Sequence, residues 1–197
     1  MSTLPVPSSD NLDLTRREAI KRAALFLGVA LSPSIVRGAL ATASGASQPV
    51  TGKSLGDAQR AILAVAVERI LPRTDSPGAI DVGVPAFIHV LYGSYLTPEE
   101  KAQLERGLNR LEKLSRSAHR RGFADLAANQ QDAVLRTLAE SADSDDAQCF
   151  QQLRQLTLVG YFTSKPVGTT VLQYDPVPGR YQGDIPLSEV GKSAWYM

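Results

Sequence analysis

The stretch Glu68–Phe87 constrains the fold most strongly, because one helical pattern stops and another starts within it. An apolar helical periodicity runs up to Pro72, which lacks an amide donor and forces the preceding residue out of the α region. The following Ser-Pro-Gly sequence predicts a tight turn, in which Gly78 is expected to supply whatever positive φ the turn needs. We expect Asp75 or the adjacent serine to accept hydrogen bonds from the freed amides. The sequence therefore predicts two helices joined by a chemically specified loop.

Apolar residues at helical spacing recur through the rest of the body. The predicted helices cover residues 55–70, 84–93, 97–121, 128–140 and 143–162. Phe123 is expected to pack the connection before the fourth helix into the core, and Phe150 to lie on the buried face of the fifth. Alternation with period two occurs only at residues 169–174, a short run. The fold class is therefore mainly α, with about five helices in a single compact domain over residues 54–197.

The first 43 residues have the three parts of an export signal. A charged segment containing Arg16 and Arg17 precedes an apolar run at residues 23–31, which is too short to span a bilayer as a mature helix. Small residues follow and offer cleavage sites at Ala39-Leu-Ala41 or Ala41-Thr-Ala43. The paired arginines resemble a twin-arginine signal, which exports folded proteins to the periplasm. The alternative is an amphipathic helix that stays in the cytosol. Residues 44–53 are predicted to be a linker.

The C-terminal residues 164–197 form an irregular strap rich in Pro, Gly and Tyr, which forbids a long helix. A disordered polar tail would be poor in aromatic residues, whereas Tyr and Trp are favoured at protein interfaces. The strap is therefore predicted to lie on a surface, either that of a partner or that of its own helices.

Residue types that carry chemistry are sparse. His89 and His119 lie on separate predicted helices, without His or Cys at metal-ligand spacing. Asp75 and Asp81 could pair across the loop, but turn capping is the more common role of an Asp beside Ser-Pro-Gly. Cys149 suits either a buried small hydrophobe or an intermolecular disulfide. No catalytic, metal or cofactor site emerges from these residues.

The charge balance adds one exclusion. The 21 Lys and Arg residues nearly match the 20 Asp and Glu residues, and the net charge is +1. Nucleic-acid binding needs clustered positive charge to neutralise phosphates, so no nucleic-acid partner is expected.

Several motifs together resemble the gluconate 2-dehydrogenase subunit 3 family. The matching motifs are Ile70-Leu-Pro-Arg-Thr-Asp-Ser-Pro-Gly-Ala79, Gly83-Val-Pro-Ala-Phe87, Phe123-x-x-Leu126, Gly160-Tyr-Phe-Thr-Ser164 and Tyr174-Asp-Pro-Val-Pro-Gly-Arg-Tyr181. The resemblance implies a small, non-catalytic subunit that holds no cofactor itself. It implies a partner of the glucose-methanol-choline oxidoreductase type that contains FAD and oxidises a sugar or sugar acid. A cytochrome subunit with haem c often completes such complexes.

In this reading the chain stabilises the flavoprotein and carries the export signal for the complex through the twin-arginine translocase. The complex would lie in the periplasm, where it can associate with the inner membrane. The expected interface comprises Pro72, Thr74, Asp75, Pro77, Gly78, Cys149, Tyr161, Phe162, Tyr174, Pro178, Gly179, Tyr181 and Trp195. The alternatives are an independent periplasmic enzyme that uses a carboxylate or histidine, and a stand-alone helical binding protein.

Overall fold

The computed structural model describes residues 33–43 and 54–172, in which all regular structure is helical. The α-helices are α1 (Pro33–Ala43), α2 (Asp57–Ile70), α3 (Val84–Ser94), α4 (Pro98–His119), α5 (Ala128–Ala139) and α6 (Ser144–Phe162). A 3-10 turn at Phe123–Asp125 precedes α5, and a π-helical turn at Val167–Val171 follows α6. The mainly α fold class is confirmed, and the five predicted helical patterns correspond to α2–α6. Of the described helices, none is long and apolar enough to cross a membrane.

The core is built around α6, which packs against α2, α3, α4 and α5. Helices α4 and α6 approach closely at Gly107, where a Cβ atom would lie 3.1 Å from the Cβ of Cys149. Phe123 is fully buried, as predicted from its place in the connection. The prediction for Phe150 is wrong, because this side chain is only half-buried. The inward stripe of α6 instead runs through Asp146, Cys149 and Leu153, and Phe150 lies about 100° away from Cys149 around the helix.

Helix ends explain where the chain turns. Thr97 caps α4 by accepting a hydrogen bond from the Glu100 amide at 3.2 Å, while the Glu100 carboxylate accepts from the Thr97 amide at 2.8 Å. At the other end Arg120 takes the left-handed conformation, with φ at 56°. Gly122 precedes the 3-10 turn, with φ at −67°.

Ion pairs and one buried hydrogen bond between helices hold the helices in their relative positions. Arg69 of α2 forms a bidentate pair with Asp132 of α5, with both hydrogen bonds at 2.7 Å. Arg110 of α4 pairs with the largely buried Asp146 of α6 at 2.9–3.0 Å. The hydroxyl of the fully buried Tyr92 on α3 donates to the Glu105 carboxylate on α4. Bidentate guanidinium–carboxylate pairs add geometric specificity to the packing.

Helix α1 lies within the segment that the sequence assigns to the export signal. It packs against α3 and α6, with Ile35 2% exposed and Gly38 and Ala39 buried. Within the described part of the alternating run at residues 169–174, no strand forms, and residues 169–171 belong to the π-helical turn Val167–Val171. Arg16, Arg17 and the strap beyond residue 172 lie outside the described residues.

Candidate partner-binding site

The loop between α2 and α3 is held by carboxylates at both of its ends. Glu68, in the last turn of α2, accepts a hydrogen bond from the Ile80 amide at 2.9 Å. Asp81 accepts from the Gly78 amide at 2.9 Å. The backbone closes the loop as well, since the Ala79 amide donates to the Leu71 carbonyl at 2.9 Å. The loop is therefore a defined structure in which the amides of Gly78, Ala79 and Ile80 are satisfied from within the chain.

Asp81 is also paired with a cation of the loop. Arg73 forms a bidentate pair with the Asp81 carboxylate, with both N–O distances at 2.7 Å. The hydrogen bond from Arg73, helped by the one from the Gly78 amide, lowers the pKa of Asp81 below its ordinary value. Asp81 is therefore ionised at neutral pH and serves as a structural acceptor. A carboxylate pair between Asp75 and Asp81, the geometry considered for acid–base chemistry, is not formed.

Two sequence predictions about this loop need correction. Gly78 does not have a positive φ; the glycine with that conformation is Gly83, at 81° just before α3. Gly78 is required for space instead, because a Cβ there would meet the Glu68 carboxylate and lie 2.9 Å from the Arg73 amide nitrogen. Asp75 does not cap the turn either. Its carboxylate accepts from the neighbouring Thr74 hydroxyl at 3.0 Å.

The C-terminal end of α6 contacts the loop. The hydroxyl of the buried Tyr161 donates to the Pro77 carbonyl oxygen at 2.8 Å. Next to it, Gly160 allows the start of α3 to approach, because a Cβ at residue 160 would lie 2.7 Å from the Phe87 ring. The structure thus brings together the loop and the end of α6, two sets of predicted site residues that are far apart in sequence.

The outer surface of this assembly is exposed. Pro72, Thr74 and Asp75 are exposed, and Ile80 leaves 50% of its area in solvent. Phe162 is 44% exposed and packs edge-on against the Tyr161 ring, with centroids 5.3 Å apart. We call Pro72, Thr74, Asp75, Ile80 and Phe162 the loop–α6 surface. Exposed large apolar side chains on a rigid support are typical of protein interaction sites.

Sequence reasoning missed Glu68, Arg73 and Ile80 as parts of this site. A signal for the first existed, because Glu68 lies one turn before Pro72, within reach of a loop that folds back. Ile80 could have been found as an apolar residue outside both helical stripes.

Cys149 does not lie on this surface. It is 4% exposed between α4 and α6, and its thiol donates to the Gln103 carbonyl oxygen at 3.3 Å. Burial is the main cause that raises the pKa of the Cys149 thiol. The buried-hydrophobe interpretation therefore describes this residue, and the burial of Cys149 gives no support to its place in the predicted partner interface.

The two histidines are apart from the loop–α6 surface. His89 lines a pocket of about 230 Å³ with Arg60, Leu63, Pro85 and Ala86, and its Nδ1 has no hydrogen-bond partner among the described residues. Nδ1 of His119 lies 3.5 Å from Nε2 of Gln130. Within residues 33–43 and 54–172, no cluster of His, Cys, Asp and Glu has the arrangement of a metal site. The remaining predicted interface residues, Tyr174, Pro178, Gly179, Tyr181 and Trp195, lie outside the described residues.

Comparison with known proteins decides the family. Residues 57–179, more than half of the chain, match the family model described as Gluconate 2-dehydrogenase subunit 3. The chain belongs to the gluconate 2-dehydrogenase subunit 3 family. Membership makes it an accessory subunit of a dehydrogenase complex and implies a dehydrogenase partner. No curated protein and no solved structure gave a significant match. The matched range begins at α2, so α1 lies outside it.

Proposed function

We propose that this protein is the non-catalytic small subunit of a periplasmic FAD-dependent dehydrogenase that oxidises a sugar or sugar acid. The observation that carries the proposal is the family match, which runs through the whole of α2–α6 and the loop–α6 surface. Gluconate 2-dehydrogenase is the activity in the family's description, so a sugar acid is the first substrate to test. FAD belongs to the partner subunit, and haem c to a further cytochrome subunit.

The loop–α6 surface is the proposed docking site for the FAD-containing subunit. Its backbone is fixed by Glu68, Asp81 and the Tyr161 hydroxyl before any partner arrives. A preordered loop loses little conformational entropy on binding, so more of the contact energy is retained as affinity. The exposed Ile80 and Phe162 side chains supply apolar area that a partner can remove from water.

The second part of the proposed role is export. Arg16 and Arg17 would direct the chain to the twin-arginine translocase, which moves folded proteins. A flavoprotein without a signal of its own could then cross as a folded complex with this subunit. The chain would serve both as the export signal of the complex and as a stabilising surface for the flavoprotein.

Co-purification of a tagged chain with its co-expressed flavoprotein tests the docking site. We expect a captured protein with flavin absorbance bands, and at least tenfold less of it with Ile80→Asp or Phe162→Asp, because a charge would be buried in the interface. Thr137→Asp, at an exposed residue of α5, is the matched control and should leave the yield unchanged. Undiminished capture by both interface variants would contradict this docking site. Failure of the wild-type chain to capture a flavoprotein would contradict the proposed function.

A further inference from the structure

We infer that α1 remains part of the exported protein and that the export signal is not cleaved off after Ala41 or Ala43. The inference rests on the proposed export of the chain and concerns what happens to its N-terminus. The sequence places both cleavage motifs, Ala39-Leu-Ala41 and Ala41-Thr-Ala43, within Pro33–Ala43. In the fold that segment is a helix packed on the body.

The first contact that holds α1 is polar. The Ser34 hydroxyl lies 2.6 and 2.8 Å from the two carboxylate oxygens of Glu100. Glu100 also accepts from the Thr97 amide in the capping box of α4, so its carboxylate is already fixed in place. Hydrogen bonds to a charged acceptor are stronger than those between neutral groups. The start of α1 is therefore tied to the start of α4.

The second contact is apolar and requires a glycine. A Cβ at Gly38 would collide with Cδ2 of Leu91 and lie 3.3 Å from Cγ of both Leu91 and Tyr95. A side chain at this position would force the buried Leu91 side chain to move, so the glycine allows the α1 backbone to approach α3 closely. Ile35, on the same side and 2% exposed, is buried one turn earlier. Leu91 has no solvent exposure in this arrangement.

Removal of residues up to Ala41 would undo these contacts. Leu91 would lose the backbone that covers it, and the Glu100 carboxylate would lose the hydrogen bonds that the Ser34 hydroxyl donates. Exposure of apolar surface is unfavourable by about 25 cal/mol per Å². Helix α1 therefore contributes to the stability of the body although it lies outside the residues that match the family.

The order of events protects the cleavage motifs. Proteases act on locally opened chain, and their access falls as the closed state becomes more populated. A twin-arginine substrate folds before it crosses the membrane, so α1 is already docked when it reaches a peptidase on the far side. Ala39 is buried and helical in that state, so cleavage after Ala41 would need α1 to unpack first. Cleavage after Ala43 would need the last turn of α1, which contains Ala41-Thr-Ala43, to unwind.

Mass spectrometry of the exported protein tests this inference. The chain is purified from the periplasmic and membrane fractions through a C-terminal tag, and its intact mass and N-terminal sequence are determined. We expect a species that begins before Pro33, with a mass near the 21.2 kDa of the full chain plus the tag if nothing is removed. An exported chain that begins at Thr42 or Ser44 would overturn the inference and leave the proposed function standing. A wild-type chain that never leaves the cytoplasm would overturn both.

Variants that displace α1 test the cause. Gly38→Leu should collide with α3, release α1 and produce a fraction that begins at Thr42 or Ser44. Arg37→Leu, at an exposed residue of the same helix, is the matched control and should stay unprocessed. If the Gly38→Leu chain does not fold, Ser34→Ala removes the hydrogen bonds to Glu100 and should produce a smaller cleaved fraction. A folded variant in which α1 is displaced but the export signal is still uncleaved would show that docking of α1 does not protect the cleavage motifs.

Discussion

The Tyr161 hydroxyl donates a hydrogen bond of 2.8 Å to the Pro77 carbonyl oxygen, across 84 residues of sequence. This bond joins the end of the last long helix to the turn of the most constrained loop. Because Tyr161 is buried and Pro77 is half-buried, water replaces the bond poorly if it is lost. With the bonds of Glu68 and Asp81, this bond is one of the contacts that hold the loop–α6 surface in place.

Tyr161→Phe should lower the free energy of unfolding by about 1 kcal/mol, since it leaves the Pro77 carbonyl without its donor. For a domain of this size that corresponds to a decrease in Tm of about 2–4 °C. Tyr95→Phe is the control, because no hydrogen bond of the Tyr95 hydroxyl is found within the described residues. Thermal unfolding followed by circular dichroism makes the comparison. Equal effects of the two substitutions would show that the bond to Pro77 contributes nothing.

Gly78→Ala should destabilise the chain by about 1–3 kcal/mol through overpacking. The added methyl group would meet the Glu68 carboxylate and the Arg73 amide, both of which are used to hold the loop. Gly168→Ala is the matched control, because a Cβ there would have nothing within 4 Å. Urea unfolding of the two variants measures the difference. A Gly78→Ala chain as stable as the control would mean that the loop has room to shift.

Stability should fall at alkaline pH through Tyr92. Burial, together with the hydrogen bond to Glu105, raises the pKa of this tyrosine to about 12. A raised folded-state pKa gives stability that is fully present below the ordinary value near 10 and is lost as the pH rises toward 12. The wild-type chain should therefore lose more stability between pH 10 and 11.5 than Tyr92→Phe does. Denaturant titrations over this range would contradict the assignment if both proteins lost the same amount.

Cys149 should react slowly with thiol reagents in the folded chain. Burial between α4 and α6 raises its pKa and blocks access, and the thiolate is the reactive form. We expect almost no reaction with a chromogenic disulfide reagent in native buffer and one thiol per chain in denaturant. Rapid labelling of the native chain would show that the Cys149 thiol is accessible, as an intersubunit disulfide would require.

Local signals were readable from the sequence where neighbouring residues determine the structure. The helix predicted over residues 97–121 appears with a Thr97–Glu100 capping box at its start, whose interactions span only three residues. The carboxylates of the loop were not readable in the same way. Glu68 reaches an amide twelve residues ahead, and Asp81 was considered only as a partner of Asp75. Which carboxylate reaches which amide depends on how the loop folds back.

Helix α1 shows a second limit of sequence reasoning. Small residues at alternate positions fit a cleavage motif, but they equally allow a helix to approach a neighbour closely. Nothing in the local pattern reveals that Gly38 faces Leu91, because that contact depends on where α3 lies in the fold.

The export of the partner tests the central claim most directly. The chain and its flavoprotein are co-expressed with wild-type Arg16 and Arg17 or with both replaced by Lys, and flavin-dependent sugar-acid oxidation is measured in the periplasmic and cytoplasmic fractions. The account predicts periplasmic activity with the wild-type chain and activity retained in the cytoplasm with the double variant. Equal periplasmic activity in the two strains, or in a strain that lacks the chain, would contradict it.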